Sequence, residues 1–258
     1  MTRPMTRRLA LIAAALASAS PAAAIVGGAQ PADEALTRHV VMVVGARRTA
    51  CSGTAIGRNL VLTAAHCVPP GGQYGVIEPG ARRGTKENGA AGIERHPQFD
   101  PNTALSGRGT IDVALVKLGE PLSARIAPAP LGTRDHFPIG DRFIIAGYGV
   151  TIEGHGMSGY GTLRSATLMV VRHAGTGFLR LADPATRGEM AGLGACSGDS
   201  GGPVFEDTSR LTLVGVMSWG TDGRQGGGCG GFTGATPLPL FRTWITETAG
   251  KLGSAVGP

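Results

Sequence analysis

Three side chains of this 258-residue chain could together perform nucleophilic chemistry: a serine, a histidine and an aspartate. Ser200 stands in a glycine-rich turn beside an acid, in Ala195-Cys196-Ser197-Gly198-Asp199-Ser200-Gly201-Gly202-Pro203-Val204-Phe205-Glu206. A serine hydroxyl is a poor nucleophile at neutral pH. It needs a histidine to take its proton and a carboxylate to hold that histidine in the right tautomer. His66, in Leu62-Thr63-Ala64-Ala65-His66-Cys67, and Asp112, in Thr110-Ile111-Asp112-Val113-Ala114-Leu115, supply both. An acid inside an apolar, strand-like segment is costly without a partner, and His66 is the partner expected for Asp112. Each motif alone is ordinary: a Gly-Gly-Pro segment is commonly a turn, a lone histidine a hydrogen-bonded core residue, an apolar-flanked aspartate a strand-end cap. The inference rests on their coincidence.

Side chains this far apart in sequence meet only if many elements carry them, and the composition points to strands. The chain holds 43 glycines and only 5% aromatic residues. Short strands joined by glycine-rich turns fit that balance better than long helices do. Apolar runs predict strands at 40–44, 60–64, 113–118, 143–147, 167–172, 178–181 and 211–218. One helix is expected over 238–252, where Leu240, Trp244, Ile245 and Leu252 fall near helical spacing. The length suits one large or two small domains, and the pattern alone reads as mostly β.

Residues 1–24 read as an export signal. Arg3, Arg7 and Arg8 give a basic start, residues 9–17 a short apolar stretch, and Ala22-Ala23-Ala24 a small-residue cleavage site. Thr6-Arg7-Arg8 faintly resembles a twin-arginine signal, but general secretion is favoured. The apolar stretch is too short to span a bilayer, so no membrane anchor is expected. Cleavage would remove three arginines and no acids, lowering the formal charge from +6 to +3. That mild excess, without a basic run, gives no reason to expect nucleic acid. Arg47-Arg48 and Arg82-Arg83 read as solvated loop charges. Four cysteines in an exported chain suggest two disulfides, with three connectivities open by counting. No Cys-x-x-Cys spacing supports zinc.

The three segments, with Ile25-Val26-Gly27-Gly28 and the order His66, Asp112, Ser200, resemble the chymotrypsin-like (trypsin-type) serine endopeptidases over nearly all of the mature chain. The resemblance implies an all-β fold of two six-stranded antiparallel barrels packed side by side with a C-terminal helix, here residues 25–258. Their linker is expected near 119–130, where Pro121, Pro128 and Pro130 break the pattern. It implies that Ser200 attacks, His66 shuttles the proton and Asp112 orients His66, with the backbone N–H groups of Gly198 and Ser200 facing the oxyanion. It pairs Cys51 with Cys67, which leaves Cys196 with Cys229. A freed Ile25 α-amino group would pair with Asp199, so activity should rise as His66 loses its proton and fall as the Ile25 ammonium loses its own. Some relatives bind calcium within the region 69–92, but Glu78 and Glu87 are sparse there, and no metal or cofactor is expected.

The same resemblance makes Gly194 the floor of the primary pocket, Gly220 one wall, and Gly230 or Gly234 the other. Ser218 would hydrogen-bond Asp112, and the Ser218-Trp219-Gly220 backbone would pair with an extended substrate. A neutral floor leaves a guanidinium unpaired and glycine walls leave an open slot, so a large apolar or aromatic side chain is expected before the scissile bond. Asp222, in the loop after Trp219, is the residue that would instead bring a trypsin-like preference for Arg or Lys. The expected protein is a secreted or periplasmic, monomeric serine endopeptidase acting on protein or peptide substrates through an acyl-enzyme. Because Ala22-Ala23-Ala24 stands immediately before Ile25, signal cleavage could itself make the active terminus; cleavage after Ala17-Ser18-Ala19 would leave Ser20 to Ala24 to be trimmed. The rivals are a binding protein on a dead protease scaffold and an esterase using the same triad.

Overall fold

A computed structural model describes residues 25–45, 50–80, 87–105, 110–151, 161–174, 178–223 and 228–257. The expected signal segment, Arg47-Arg48 and Arg82-Arg83 lie outside the described residues. The first barrel is built from β2 (Val40–Gly45), β3 (Ala50–Gly57), β4 (Leu60–Thr63), β5 (Tyr74–Ile77), β6 (Asn88–Arg95) and β7 (Ala114–Leu118), preceded by the two-residue β1 (Gln30–Pro31) and the one-turn helix α1 (Glu34–Thr37). Its strands close in the order β2-β3-β4-β7-β6-β5. A second short helix, α2 (Pro101–Leu105), lies between β6 and β7.

The second barrel comprises β8 (Arg142–Gly147), β9 (Arg164–Ala174), β10 (Phe178–Ala182), β11 (Pro203–Glu206), β12 (Leu213–Gly220) and β13 (Phe232–Pro237). They pair in the order β9-β10-β13-β12-β11-β8, and β8 pairs back to β9 to close the ring, while β1 adds to the outer edge of β9. The chain is thus two closed six-stranded antiparallel barrels with a C-terminal helix, as the resemblance implies.

Alternation explains the strands that the sequence exposes. Leu179 and Leu181 of β10 enter the core of the second barrel with Phe143, Ile145 and Leu168, all essentially without solvent exposure. Burying each such side chain contributes about 1.5–3 kcal/mol. β3 escapes a pattern reading because nearly all of it is buried and small. A Cβ on Gly53 would lie 2.8 Å from Val61 Cγ1 and 2.9 Å from Val43 Cγ2, so bulk there is excluded. One face of β3 meets its own barrel core; from the other, Ser52 reaches the second barrel.

The expected helix over 238–252 begins later than its spacing suggests. Pro239–Phe241 form a 3-10 turn, and α3 (Arg242–Lys251) follows. Leu240, counted on the apolar face, is 58% exposed because it belongs to that turn. Ile245 and Ala249 are buried in the first barrel's core cluster, and the Trp244 ring lies 4.8 Å from that of His96. The tail is then tied to the first barrel: Lys117 Nζ donates to Gly253 O at 3.2 Å and to Ser254 Oγ at 2.8 Å. Gly257 N–H donates to Ile56 O at 2.6 Å.

Candidate active site

His66 sits in the 3-10 turn Ala65–Cys67 that ends β4, and Asp112 lies two residues ahead of β7. The pairing of β4 with β7 brings the two together. Asp112 is fully buried, and three donors satisfy its carboxylate. His66 N–H donates to Oδ1 at 2.9 Å, His66 Nδ1 meets Oδ2 at 2.6 Å, and Ser218 Oγ donates to Oδ2 at 2.5 Å. With Nδ1 carrying its hydrogen toward Asp112, Nε2 is left as the basic nitrogen.

Ser200 belongs to the turn before β11, and a residue that the sequence reading missed fixes that turn. Ser52 N–H donates to Ser200 O at 2.8 Å, Ser52 Oγ donates to Gly198 O at 2.9 Å, and Tyr148 N–H donates to Ser52 Oγ at 2.9 Å. The only signal for Ser52 in the sequence is a polar residue beside Cys51 in a run of small ones. The glycines are needed here for conformation and for space. Gly198 and Gly201 have φ of +94° and +82°, and a Cβ on Gly201 would lie 2.1 Å from Thr63 Oγ1. His66 Nε2 and Ser200 O each lie 3.7 Å from Cys67 Sγ, so the imidazole and the serine backbone flank one sulfur. Among the described residues no hydrogen bond joins His66 Nε2 to Ser200 Oγ. Such bonds are often long in unliganded sites and tighten when substrate binds.

Asp199 is fully buried, and among the described residues its hydrogen bonds come from three backbone N–H groups. Gly149 donates to Oδ1 and Cys196 to Oδ2, each at 2.9 Å, and Ile25 also donates to the carboxylate. Burial pushes its pKa up to about 7 against the downward pull of those bonds. Gly147 and Gly149 have no room for a side chain, since a Cβ would lie 2.2 Å from Oδ1 or 2.6 Å from Cγ of Asp199. Ile25 has no solvent exposure and a φ of +53°, a left-handed conformation that a β-branched residue rarely adopts.

Cys51 is bonded to Cys67 and Cys196 to Cys229. Cys51, His66 and Cys67 present ligand-type atoms within 4.8 Å of one another, but sulfurs in a disulfide offer no thiolate to a metal. Glu78 is engaged by Ser123, whose N–H donates at 2.8 Å and whose Oγ donates at 2.5 Å.

Gly194 exchanges backbone hydrogen bonds with Val26 at 3.1 and 3.4 Å. Of the two glycines considered for the second wall, Gly230 is the one beside it: a Cβ on Gly194 would lie 2.9 Å from Gly230 Cα. Gly234 instead lies under the indole of Trp219, where a Cβ would come within 1.9 Å of the ring. The open slot expected from glycine walls is not what the structure holds. A Cβ on Gly220 would lie 2.8 Å from Ala195 O, so with no side chains between them the walls rest on one another. Asp222 O lies against Gly231, one residue from Gly230. A cavity of about 580 Å³ lies elsewhere on the first barrel, between the loop 68–72 and β6, and shares no residue with these groups.

Residues 25–245 match the family model described as Trypsin. The chain is 30% identical over 236 residues to Limulus clotting factor C of Carcinoscorpius rotundicauda, covering 76% of this chain and 22% of that protein. The chain therefore spans less than a quarter of clotting factor C. It is 29% identical over 243 residues to the trypsin of Sarcophaga bullata, covering 88% and 90% of the two chains. A trypsin-like protease of Streptomyces glaucescens is 28% identical over 256 residues, covering 93% and 91%. A solved structure titled neuropsin, a serine protease expressed in the limbic system of mouse brain, superposes with a TM-score of 0.68 at 22% identity over 85% of this chain and 98% of its own, a likeness of fold.

Proposed function

The chain belongs to the trypsin family of serine proteases, and on that premise we propose that it is an exported serine endopeptidase whose triad is Ser200, His66 and Asp112. The observation that carries this reading is the buried Asp112 carboxylate, held by two bonds to His66 and one from Ser218. Ser200 Oγ attacks the scissile carbonyl carbon while His66 Nε2 takes its proton. The negative charge that develops on the carbonyl oxygen is met by the N–H groups of Gly198 and Ser200. The tetrahedral adduct collapses, and His66 returns the proton to the departing amine. Water, activated by the same imidazole, then attacks the acyl-enzyme and frees Ser200.

Activation in this reading follows signal cleavage directly. Cutting the Ala24–Ile25 bond turns an amide N–H facing Asp199 into an ammonium, which keeps the carboxylate ionised at neutral pH. It also abolishes the φ constraint at Ile25, releasing strain of about 1–3 kcal/mol. N-terminal sequencing of protein exported from a host lacking other proteases should return Ile25; a stable form beginning at Ser20 would refute direct activation.

The side chain preferred before the scissile bond is large and apolar, because Gly194 places no charge at the pocket floor. Seating it requires the Gly220 strand to part from Ala195. A second reading, preference for Arg or Lys, requires the Asp222 carboxylate to turn toward the pocket from a backbone whose carbonyl lies against Gly231 beside that wall. Casein and peptides carrying Phe, Leu, Ala or Arg at that position, incubated with the Ile25 form and with Ser200→Ala, test the proposal. Turnover that vanishes in the variant and is greatest for Phe or Leu is the expected result. Cleavage of nitrophenyl esters without peptide cleavage would favour an esterase, and no turnover at all a binding scaffold.

A further inference from the structure

Four residues on four adjacent strands form one transverse row on the second barrel. Arg172 of β9 is directly opposite Arg180 of β10, Arg180 is opposite Gly234 of β13, and Gly234 is opposite Trp219 of β12. Directly opposed residues of antiparallel strands share a face. That face is the outer one, since Leu179 and Leu181 on either side of Arg180 point into the core. The missing side chain at Gly234 lets the Trp219 ring lie across β13 toward Arg180, whose Cζ stands 5.5 Å from the indole centroid and 5.8 Å from that of Phe232.

The two rings fix the Arg180 guanidinium but use none of its five N–H donors. Its Nε is buried with no hydrogen-bond partner, and no carboxylate pairs with Arg180 among the described residues. Trp219 Nε1 is likewise buried and unpartnered. Arg172, next in the row, is exposed. A half-buried guanidinium held rigid between rings, with a second cation beside it and its own donors unused, is a binding arrangement for a carboxylate. The row begins one residue from Ser218, which touches the triad acid.

We propose that Arg180 and Arg172, aligned by Trp219, form a subsite for an acidic side chain of the peptide substrate, on the N-terminal side of the scissile bond. This rests on the reading of the chain as an endopeptidase. A substrate strand laid along Ser218-Trp219-Gly220 has its primary side chain between Gly220 and Gly194. Its preceding residues then run past Trp219 toward the arginines.

The test uses acetylated tetrapeptide nitroanilides with one fixed residue before the scissile bond and Glu, Ala or Lys at each of the three positions upstream. At one position the wild type should favour Glu over Lys by about tenfold in kcat/KM, the size of one charge-assisted hydrogen bond. Raising salt from about 0.05 to 0.5 M should shrink that ratio, because the outer arginine is exposed to screening. The ratio should fall toward one in Arg180→Gln and in Arg172→Gln, and Arg180→Lys should keep part of it. Should Arg180→Gln fail to fold, the exposed Arg172→Gln decides. A wild type that cleaves these peptides without preferring Glu at any position, or whose preference survives both Gln variants, overturns the subsite and leaves the endopeptidase standing. A wild type that cleaves no peptide overturns the endopeptidase and the subsite with it.

Discussion

Asp112 gathers three donors on a carboxylate with no exposure to water, so replacing it should affect turnover far more than the fold. Asp112→Asn keeps the shape but presents an amide N–H₂ that favours the wrong imidazole tautomer. Its kcat should fall roughly ten-thousand-fold while thermal unfolding stays close to that of the wild type; a loss under tenfold would remove Asp112 from the mechanism. Asp199 gives a prediction of a different sort. Its folded pKa is raised to about 7 from a reference of 3.8, so the folded state binds the proton more tightly than the unfolded chain does. Wherever Asp199 faces only amide N–H groups, stability is full below about pH 4 and declines as pH rises toward 7. A chain that begins at Ala24 should show that decline in its melting temperature, whereas one that begins at Ile25 should not, its ammonium having lowered the carboxylate pKa. Parallel profiles for the two forms would refute the pairing. At this scale the sequence was informative for chemistry and mute about support: Ser200, His66 and Asp112 are marked by type and flanking residues. Ser52 is one small polar residue among several, and only barrel-to-barrel contact reveals that it holds the Ser200 turn.

Elements were legible where alternation or an apolar run survives, as in β2, β8 and β10, and hidden where close approach forbids bulk. β3 and β13 are built of Ala, Gly, Ser and Thr in large part, because each lies against another backbone or under a ring. Such strands carry no period to detect. The pocket walls show the converse error: glycines can mean open space or contact, and at Gly194, Gly220 and Gly230 they mean contact. The C-terminal tail is also held by features without periodicity, through Lys117, Asn59 and the Ile56 carbonyl. Ending the chain at Leu252 removes at least three hydrogen bonds, each with a net worth of about 1 kcal/mol. The melting temperature should then drop by roughly 6–12 °C for a domain of this size, as calorimetry can measure, with kcat/KM on a small peptide at 25 °C little changed. An unchanged melting point would mean that the tail merely rests on the first barrel.

On the scale of the molecule, the site exists only where the barrels meet. His66 and Asp112 come from the first, Ser200 and Ser218 from the second, and Ser52 of β3 bonds across to Gly198 and Ser200. The hydrophobic core crosses the same junction: Phe205, Leu213 and Val216 of the second barrel belong to the cluster built around Leu60, Leu62 and Leu115 of the first. Neither barrel can lose its partner without exposing these fully buried side chains, and truncating Phe205 to Ala alone should cost about 3–5 kcal/mol. The barrels should therefore unfold as one unit despite their separate closed sheets. Calorimetry on the Ser200→Ala variant, which cannot digest itself, should give a single transition whose calorimetric and van't Hoff enthalpies agree. Peptide-cleaving activity in the wild type should vanish over the same temperature range. Two resolved transitions, or activity lost well below the first, would mean that the junction opens before either barrel melts, and that the shared core contributes less to cohesion than its burial implies.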